Sequence, residues 1–426
     1  MKILVLGSGG REHALAWAIS RSPGKHQVIC APGNAGTAMT GSNAELDIND
    51  HEGVVDFCTA NDIDLVVVGP EAPLVAGIAD VLRKNKFSVF GPGSQGASLE
   101  GSKIFAKEFC TRHGIPTAAY TAFDDADKAH RFIDKRHEET SVVKADGLAA
   151  GKGVIVCDDP IDTHAAVDTI ITERKFGAAG ERVIIEDRLE GFETTLLTIV
   201  SGSHYLTLPY SQDHKRAYDG DKGPNTGGMG VFAPTPKVND ELDDWIISSI
   251  VEPTIEGLLA EGIDYTGCLY FGLMITEDGP YLLEYNCRFG DPEAQALLPL
   301  MEGDFAGALN AAVDGKLDTV DLKPSGRKAL SVFLASNGYP GSYKKGVDIT
   351  DSIAALDKNP DLIVFHAGTK RDGKMIFTNG GRVAAVTGLG NDFGECRDTV
   401  YGAIGDLQLK GLFYRTDIGR ELEPVT

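Results

Sequence analysis

Glu284 and Asn286 stand two residues apart in the run Tyr281-Leu282-Leu283-Glu284-Tyr285-Asn286. Strand side chains alternate between faces, so Tyr281, Leu283 and Tyr285 are expected on one face and Leu282, Glu284 and Asn286 on the other. Glu284 and Asn286 then lie roughly 6.6 Å apart along one face. Two oxygen donors at that spacing suit Mg²⁺, which takes one or two protein ligands and completes its shell with phosphate oxygens and water. Arg288 and Asp291 follow at once in Cys287-Arg288-Phe289-Gly290-Asp291-Pro292-Glu293, so both signs of charge gather where the strand ends. The plain alternative is an edge strand with solvated polar residues.

Three glycine-rich loops offer further chemistry. Gly147-Leu148-Ala149-Ala150-Gly151-Lys152-Gly153 lies between two apolar strand signals, 141–144 and 154–157, and so reads as a hairpin tip. A Gly-rich flap with Lys152 at its tip suits a lid over phosphates; an exposed turn is the alternative. No GxxxxGK[ST] run exists, which excludes a P-loop. Gly7-Ser8-Gly9-Gly10-Arg11-Glu12 has Glu12 where the dinucleotide fingerprint requires its third glycine. A helix N-terminus behind such a loop still favours an anion such as a sugar phosphate, unless the loop is only a tight turn. Gly223-Pro224-Asn225-Thr226-Gly227-Gly228-Met229-Gly230 can present backbone N–H groups to an oxyanion. Ser211-Gln212-Asp213-His214-Lys215-Arg216 is a polar stretch after a strand, and a lone histidine such as His214 is more often structural than catalytic. No Ser/His/Asp order, nucleophilic cysteine or His-rich metal motif stands out. The chemistry indicated is phosphate handling with a metal, not covalent catalysis through the protein.

The elements that must position these residues follow from hydrophobic patterning. Short apolar runs at 2–6, 28–31, 64–68 and 88–90 each end in a Gly-rich turn, and a helix over 11–20 carries Ala14, Leu15 and Ala18 on one face. Buried strands separated by helices imply a parallel sheet that binds ligands beyond its carboxyl ends. After residue 101 the pattern changes. Strands are expected at 182–186, 195–200, 205–209, 267–276 and 280–285, with helices at 160–173 and at 241–260, the latter kinked by Pro253. Further strands are expected at 329–335, 362–366 and 382–387.

Composition bounds the reading. A chain of 426 residues can bury a sizeable core, and none of its apolar runs approaches the roughly 18 residues needed to span a bilayer. The start of the chain reads as a strand and lacks a signal peptide's apolar core. A net charge of −22 argues against a general nucleic-acid binder, but local Lys and Gly can still hold phosphate. Seven cysteines without a CxxC are expected to be reduced, mostly structural thiols in a cytoplasmic protein with no zinc site. Glycine, at 51 residues, is concentrated in the loops just described.

Taken together, Gly9-Gly10-Arg11-Glu12-His13-Ala14, Pro32-Gly33-Asn34-Ala35-Gly36-Thr37, Val68-Gly69-Pro70-Glu71-Ala72-Pro73-Leu74, the stretch from Lys144 to Val154, and the blocks at 211–216, 223–230 and 286–293 resemble the glycinamide ribonucleotide synthetases, a family of ATP-grasp ligases. The resemblance runs from residue 1 to about residue 419. It implies an α/β and α+β multidomain fold: an N-terminal parallel-sheet (pre-ATP-grasp, Rossmann-like) domain over 1–101 for phosphoribosylamine, an ATP-grasp domain over 102–325 with a mobile lid at about 120–189, and a small C-terminal α/β domain over 326–426. It further implies de novo purine biosynthesis: ATP phosphorylates glycine, and the amine of 5-phosphoribosylamine attacks the glycyl phosphate. The expected cofactors are ATP and Mg²⁺ or Mn²⁺.

Carried over residue by residue, the resemblance implies that Lys103 and Lys144 contact ATP phosphates, with Gly147, Gly151, Lys152 and Gly153 in the lid. Glu186 and the backbone near Leu189 face adenine, Glu193 the ribose, and Glu284 and Asn286 hold the metal. Asp213, Lys215, Arg288 and Asp291 form the catalytic group, Asp213 and Arg288 recognising glycine. Gly9, Gly10, Asn34, Ala35, Gly69, Pro70 and Glu71 bound the phosphoribosylamine site, with Asn225, Thr226 and Gly227 as further substrate contacts. Relatives usually carry an acidic residue where this chain has Phe192, which bears on nucleotide affinity and not on reaction class. The partners expected are glycine and phosphoribosylamine, with no nucleic acid and no membrane, and the chain is expected to be monofunctional and a monomer or weak homo-oligomer. Another ATP-grasp carboxylate–amine ligase is the competing reading; it would lack the 225–230 and 286–293 blocks together. A nicotinamide oxidoreductase or a non-catalytic binding module is a further one, favoured if no ATP is consumed with glycine and amine.

Overall fold

The computed structural model describes residues 1–136, 140–149 and 152–422. The apolar runs of the first ninety residues form a five-stranded parallel sheet in the order Ser42–Asn43, Gln27–Pro32, Lys2–Gly7, Leu65–Val68, Ser88–Phe90. Helices cover both faces, which is why its strands read as unbroken apolar runs. Ile3 and Val5 enter one core and Leu4 and Leu6 the other. The helix Gly10–Arg21 buries Ala14, Leu15 and Ala18, as its spacing predicts.

A second, antiparallel sheet runs His204–Thr207, Phe192–Ser201, Thr266–Thr276, Gly279–Asn286. The helix expected over 241–260 is present, but its irregularity lies ahead of Pro253. A π-helical turn, Ile247–Val251, joins Asp240–Ile246 to Glu252–Ala260, and the proline then occupies the first turn of the last segment, where its missing N–H costs nothing. A smaller sheet, in the order Tyr120–Phe123, Val183–Asp187, Ser141–Ala145, Val154–Cys157, has a core of its own around Val143, Ile170 and Ile185. Its last two strands make the expected antiparallel hairpin.

The C-terminal sheet includes Lys328–Ser336, Arg382–Gly390 and Leu362–His366, and it takes in Gln212–Asp213 and Gly230–Ala233 from the middle of the chain. One sheet therefore crosses the expected boundary at 325/326, and the polar stretches at 211–216 and 223–230 are fixed to C-terminal strands. All seven cysteines are buried and free. Among the described residues no helix is long and apolar enough to cross a membrane.

Candidate functional site

Glu284 and Asn286 share a face, as the alternation predicts, but the rest of that strand departs from it. Gly272 pairs with Glu284 while Leu273 pairs with Leu282, so Leu283 is an extra, bulged residue. Leu282 and Tyr285 consequently enter the same core, where strict alternation sends them to opposite faces. The bulge also turns the Leu283 carbonyl out to accept from Lys144 Nζ at 3.2 Å. Burial opposes charge on Glu284, but Lys215, Lys103 and Lys144 outweigh it and hold the carboxyl below its usual range. Asn286 Oδ1 accepts from Arg288 Nη2 at 3.3 Å. An ionised carboxylate beside an amide oxygen is a donor set of the hard-oxygen type that Mg²⁺ or Mn²⁺ takes, and no cluster of three or more His, Cys, Asp or Glu competes with it among the described residues.

Two lysines meet one buried carboxylate behind this face. Lys144 Nζ lies 2.8 Å from Glu186 Oε2, and Lys107 Nζ lies 3.3 Å from Glu186 Oε1. Lys107 also donates to Thr117 Oγ1 at 2.6 Å and to the Ala118 carbonyl at 3.2 Å. Burial, opposed by Glu186, brings the Lys107 ammonium down to about 8. Lys103 begins the helix Lys103–His113; Ser102 caps it by accepting from Phe105 N, and Lys103 N donates to the Asp146 carbonyl at 3.0 Å. Leu189 is half-buried, and Glu193 is half-exposed with Lys215 Nζ at 2.6 Å. Gly147 N donates to the Ala179 carbonyl, and Gly153 accepts from Ala145 N. Lys152 is exposed at the hairpin tip; Ala150 and Gly151 lie outside the described residues.

Arg288 joins the face that carries Glu284 and Asn286 to the N-terminal domain. Its Nη2 donates to Glu100 Oε1 at 2.9 Å and its Nε lies 3.4 Å from Glu71 Oε2. Burial disfavours charge on Glu71, yet Arg288 and Arg11 keep it below the ordinary carboxylate range. Nearby, burial pushes Asp213 up despite Lys215, and burial with the Asp213 charge pushes Glu293 up to about 7.

The N-terminal loops divide into two roles. Gly9 and Asn34 line a cavity of about 340 Å³, closed on the other side by Asp291, Tyr339, Thr369 and Arg382; Asn34 and Ala35 also line an adjoining cavity of about 520 Å³. Asn34 does not offer its carboxamide to a ligand. Its Nδ2 donates to the carbonyls of Ser8, Gly9 and His366, and its Oδ1 accepts from Gly36 N and Thr37 N. Gly10 and Gly69 are packing glycines. A Cβ on Gly10 would sit 2.5 Å from Gln295 Nε2, and one on Gly69 would sit 2.2 Å from Glu12 Oε1. Glu12 is the reason that the dinucleotide fingerprint fails here. Its buried carboxylate accepts from Gly9 N and pairs with Arg11, both at 2.5 Å, so the loop's own acid occupies the space beneath the helix N-terminus. Pro70 and Glu71 line neither cavity, and Glu71 pairs with Arg288 instead.

The turn at 225–230 corrects another expectation. Its N–H groups are already engaged: Thr226 N donates to the Lys215 carbonyl, Gly227 N to the Tyr339 hydroxyl, Gly228 N to the Thr226 hydroxyl, and Met229 N to the His214 carbonyl. These four do not form an oxyanion hole. Lys107, Glu100, Glu293, Gln295, Tyr339 and Arg382 went unrecognised in sequence. Lys107 carried a signal, four residues after Lys103 on the same helix face. Tyr339 and Arg382 carried none, since only the fold brings them to the cavity.

The family models for phosphoribosylglycinamide synthetase match in chain order: the N domain over residues 1–100, the ATP-grasp (A) domain over 101–294 and the C domain over 329–421. Phosphoribosylamine–glycine ligase of Neisseria meningitidis serogroup B is 46% identical over 421 residues, covering 98% of both chains. That of Allochromatium vinosum is 48% identical over 424 residues, with the same coverage. A crystal structure of phosphoribosylamine–glycine ligase from Thermotoga maritima superposes with a TM-score of 0.84 at 33% identity, covering 98% of this chain and 100% of that one. Biotin carboxylase of Campylobacter jejuni, at 12% identity and a TM-score of 0.72, shares the fold.

Proposed function

The chain belongs to the phosphoribosylglycinamide synthetase family, and from that premise we propose how its residues carry out the ligation. The reaction is ATP-dependent joining of glycine to 5-phospho-D-ribosylamine, giving glycinamide ribonucleotide, ADP and phosphate, a step of de novo purine biosynthesis. The observation that carries the residue assignment is the convergence of Lys144, Glu186, Glu284 and Arg288 at one strand end, which Asp291, three residues on, connects to a cavity walled by N-terminal loops and C-terminal residues.

ATP lies over the strand Gly279–Asn286, with Lys103 and Lys144 toward its phosphates, the lid hairpin above, and Glu186, Leu189 and Glu193 at adenine and ribose. Glu284 and Asn286 would hold Mg²⁺ or Mn²⁺, which would supply positive charge to the phosphate oxygens. Arg288 and Asp213 hold the glycine carboxylate and ammonium. Residues 1–101 and 326–426 flank the amine, which occupies the 340 Å³ cavity against Gly9 and Asp291. The carboxylate takes the γ-phosphoryl group, and the amine nitrogen then bonds to the acyl carbon. Phosphate leaves with the C–O electron pair and the proton lost from nitrogen. Glycyl phosphate hydrolyses in water, so lid closure and a poised amine matter as much as charge. Release of ADP that requires both glycine and phosphoribosylamine, with the product mass confirmed, tests the activity. Release of ADP without the amide product would refute it.

A further inference from the structure

We propose that Arg382 is a positioning residue for the amine step, one that fixes Asp291 and the Gly227–Gly228 turn across the seam between the C-terminal and ATP-grasp domains. The proposal rests on the functional reading above and assigns part of the amine site to a domain distant from the nucleotide.

Arg382 begins the strand Arg382–Gly390, and its Cζ lies 4.6 Å from the centre of the Phe333 ring on the neighbouring strand. Held there, Nη1 donates to the carbonyls of Gly227 at 2.6 Å, Asp291 at 2.9 Å and Gly228 at 3.3 Å, and lies 3.2 Å from Asp291 Oδ1. One rigid nitrogen thus joins two segments more than sixty residues apart in sequence. Asp291 is also the point where the three domains touch. Gln295 Nε2 donates to its Oδ1 at 2.8 Å, while its Oδ2 faces Arg11 N at 3.4 Å. The carboxylate lines the cavity, so its direction decides where an amine N–H donor can settle.

Lysine cannot reproduce this arrangement. Its ammonium is a compact, strongly hydrated charge on a flexible stem, whereas guanidinium is planar and stacks on an aromatic ring. Loss of the clamp leaves the Asp291 carboxylate with Gln295 as its remaining side-chain donor and releases the turn that Lys215 and His214 hold from the other side. The residues assigned above to nucleotide and glycine, among them Lys103, Lys144, Glu186, Glu193, Asp213, Glu284 and Arg288, include none that Arg382 bonds to.

The test is steady-state kinetics of Arg382→Lys and Arg382→Ala, each first checked by thermal melting, with ATP, glycine and phosphoribosylamine varied in turn. The expected result is a fall in kcat/KM for the amine on the order of 100-fold, as for loss of charge-assisted hydrogen bonds. KM for ATP and for glycine should shift by less than about threefold, and the amide formed per ADP should drop below unity. Guanidinium ion should restore part of the amine kinetics of Arg382→Ala. Equal losses toward all three substrates in a folded variant, or unchanged amine kinetics, overturn the proposal. If Arg382→Ala does not fold, Arg382→Lys decides. A parent protein that makes no glycinamide ribonucleotide would instead refute the functional reading.

Discussion

Gly10→Ala should destabilise the protein even though alanine is the better helix former. Gly10 is the first residue of the helix Gly10–Arg21 and lies where the three domains converge. An added Cβ would meet Gln295 Nε2 at 2.5 Å, Phe333 Cζ at 3.4 Å and Ala367 Cβ at 3.5 Å. The last two contacts are of ordinary length, so they block retreat of the helix, and Gln295 must move by about 0.9 Å to reach the same separation. That movement disrupts its 2.8 Å hydrogen bond to Asp291. A hydrogen bond to a charged group contributes roughly 1.5–3 kcal/mol, and overpacking costs roughly 1–3 kcal/mol. Alanine's helix propensity returns at most about 1 kcal/mol. The net loss is about 1.5–5 kcal/mol, which for 426 residues unfolding together is a fall in melting temperature of roughly 2–6 °C. In a Gln295→Ala background the obstruction is gone, and Gly10→Ala should cost at least about 1 kcal/mol less, the coupling expected of residues in contact. Thermal melts of the four proteins decide it. A Gly10→Ala protein that melts at or above the parent, or the same cost in both backgrounds, refutes the packing role; amine use lost at unchanged stability would return Gly10 to direct substrate contact.

Lys144→Met should raise KM for ATP at least about tenfold, since it removes a charge-assisted phosphate donor and leaves Glu186 with Lys107 as its counter-ion; initial rates over an ATP series check it. Glu284→Gln should keep the melting temperature within a few degrees while raising the Mg²⁺ concentration needed for half-maximal rate, read from a metal titration at saturating ATP. Acid should loosen the seam between the N- and C-terminal domains. His13 Nδ1 accepts from His366 N, and burial, with the His366 charge as a lesser cause, lowers His13 to about 3 while burial lowers His366 to about 4. Both folded values lie below the ordinary 6.5, so the stability that these neutral rings contribute is fully present above pH 6.5. It declines as pH falls from there toward 4 and 3. Melting temperatures measured from pH 7 to 4 should fall less steeply in His13→Gln than in the parent.

The sequence made visible what depends on local pattern. Ile3, Leu4, Val5 and Leu6 announced a strand covered on both faces, and each glycine-rich turn marked a strand end. Glu284 and Asn286 were found because alternation is a local rule. The bulge at Leu283 was not, since it depends on the register with Gly272 and Leu273 on the partner strand. Glycines misled in one respect. A loop that approaches a ligand and a loop that approaches another domain both require glycine, so Gly10 and Gly69 read as substrate contacts until Gln295 and Glu12 were seen against them. The contribution of Gly230–Ala233 to a C-terminal sheet was hidden for the same reason as Arg382: both depend on contacts between segments distant in the chain.

Counting donors separates the two lysines that share Glu186. An ammonium has three N–H groups. Lys107 donates two, to Thr117 Oγ1 and the Ala118 carbonyl, while Glu186 Oε1, 3.3 Å away, accepts no hydrogen bond. Lys144 donates one, to the Leu283 carbonyl, and stands 2.8 Å from Glu186 Oε2 as an ion pair. Lys144 therefore has fewer of its N–H groups committed inside the protein than Lys107 has, and more of them for an incoming phosphate oxygen. The same carboxylate that neutralises both cations also fixes where they point. This is how a chain with a net charge of −22 can present a phosphate site: its local cations are held by buried acids and not diluted by its acidic surface. Lys107→Met should therefore act through Glu186, by leaving that carboxylate to Lys144 alone, and Lys144→Met should act on the nucleotide directly. A tenfold loss of ATP affinity in Lys107→Met that equals the loss in Lys144→Met, with stability unchanged in both, would contradict this division.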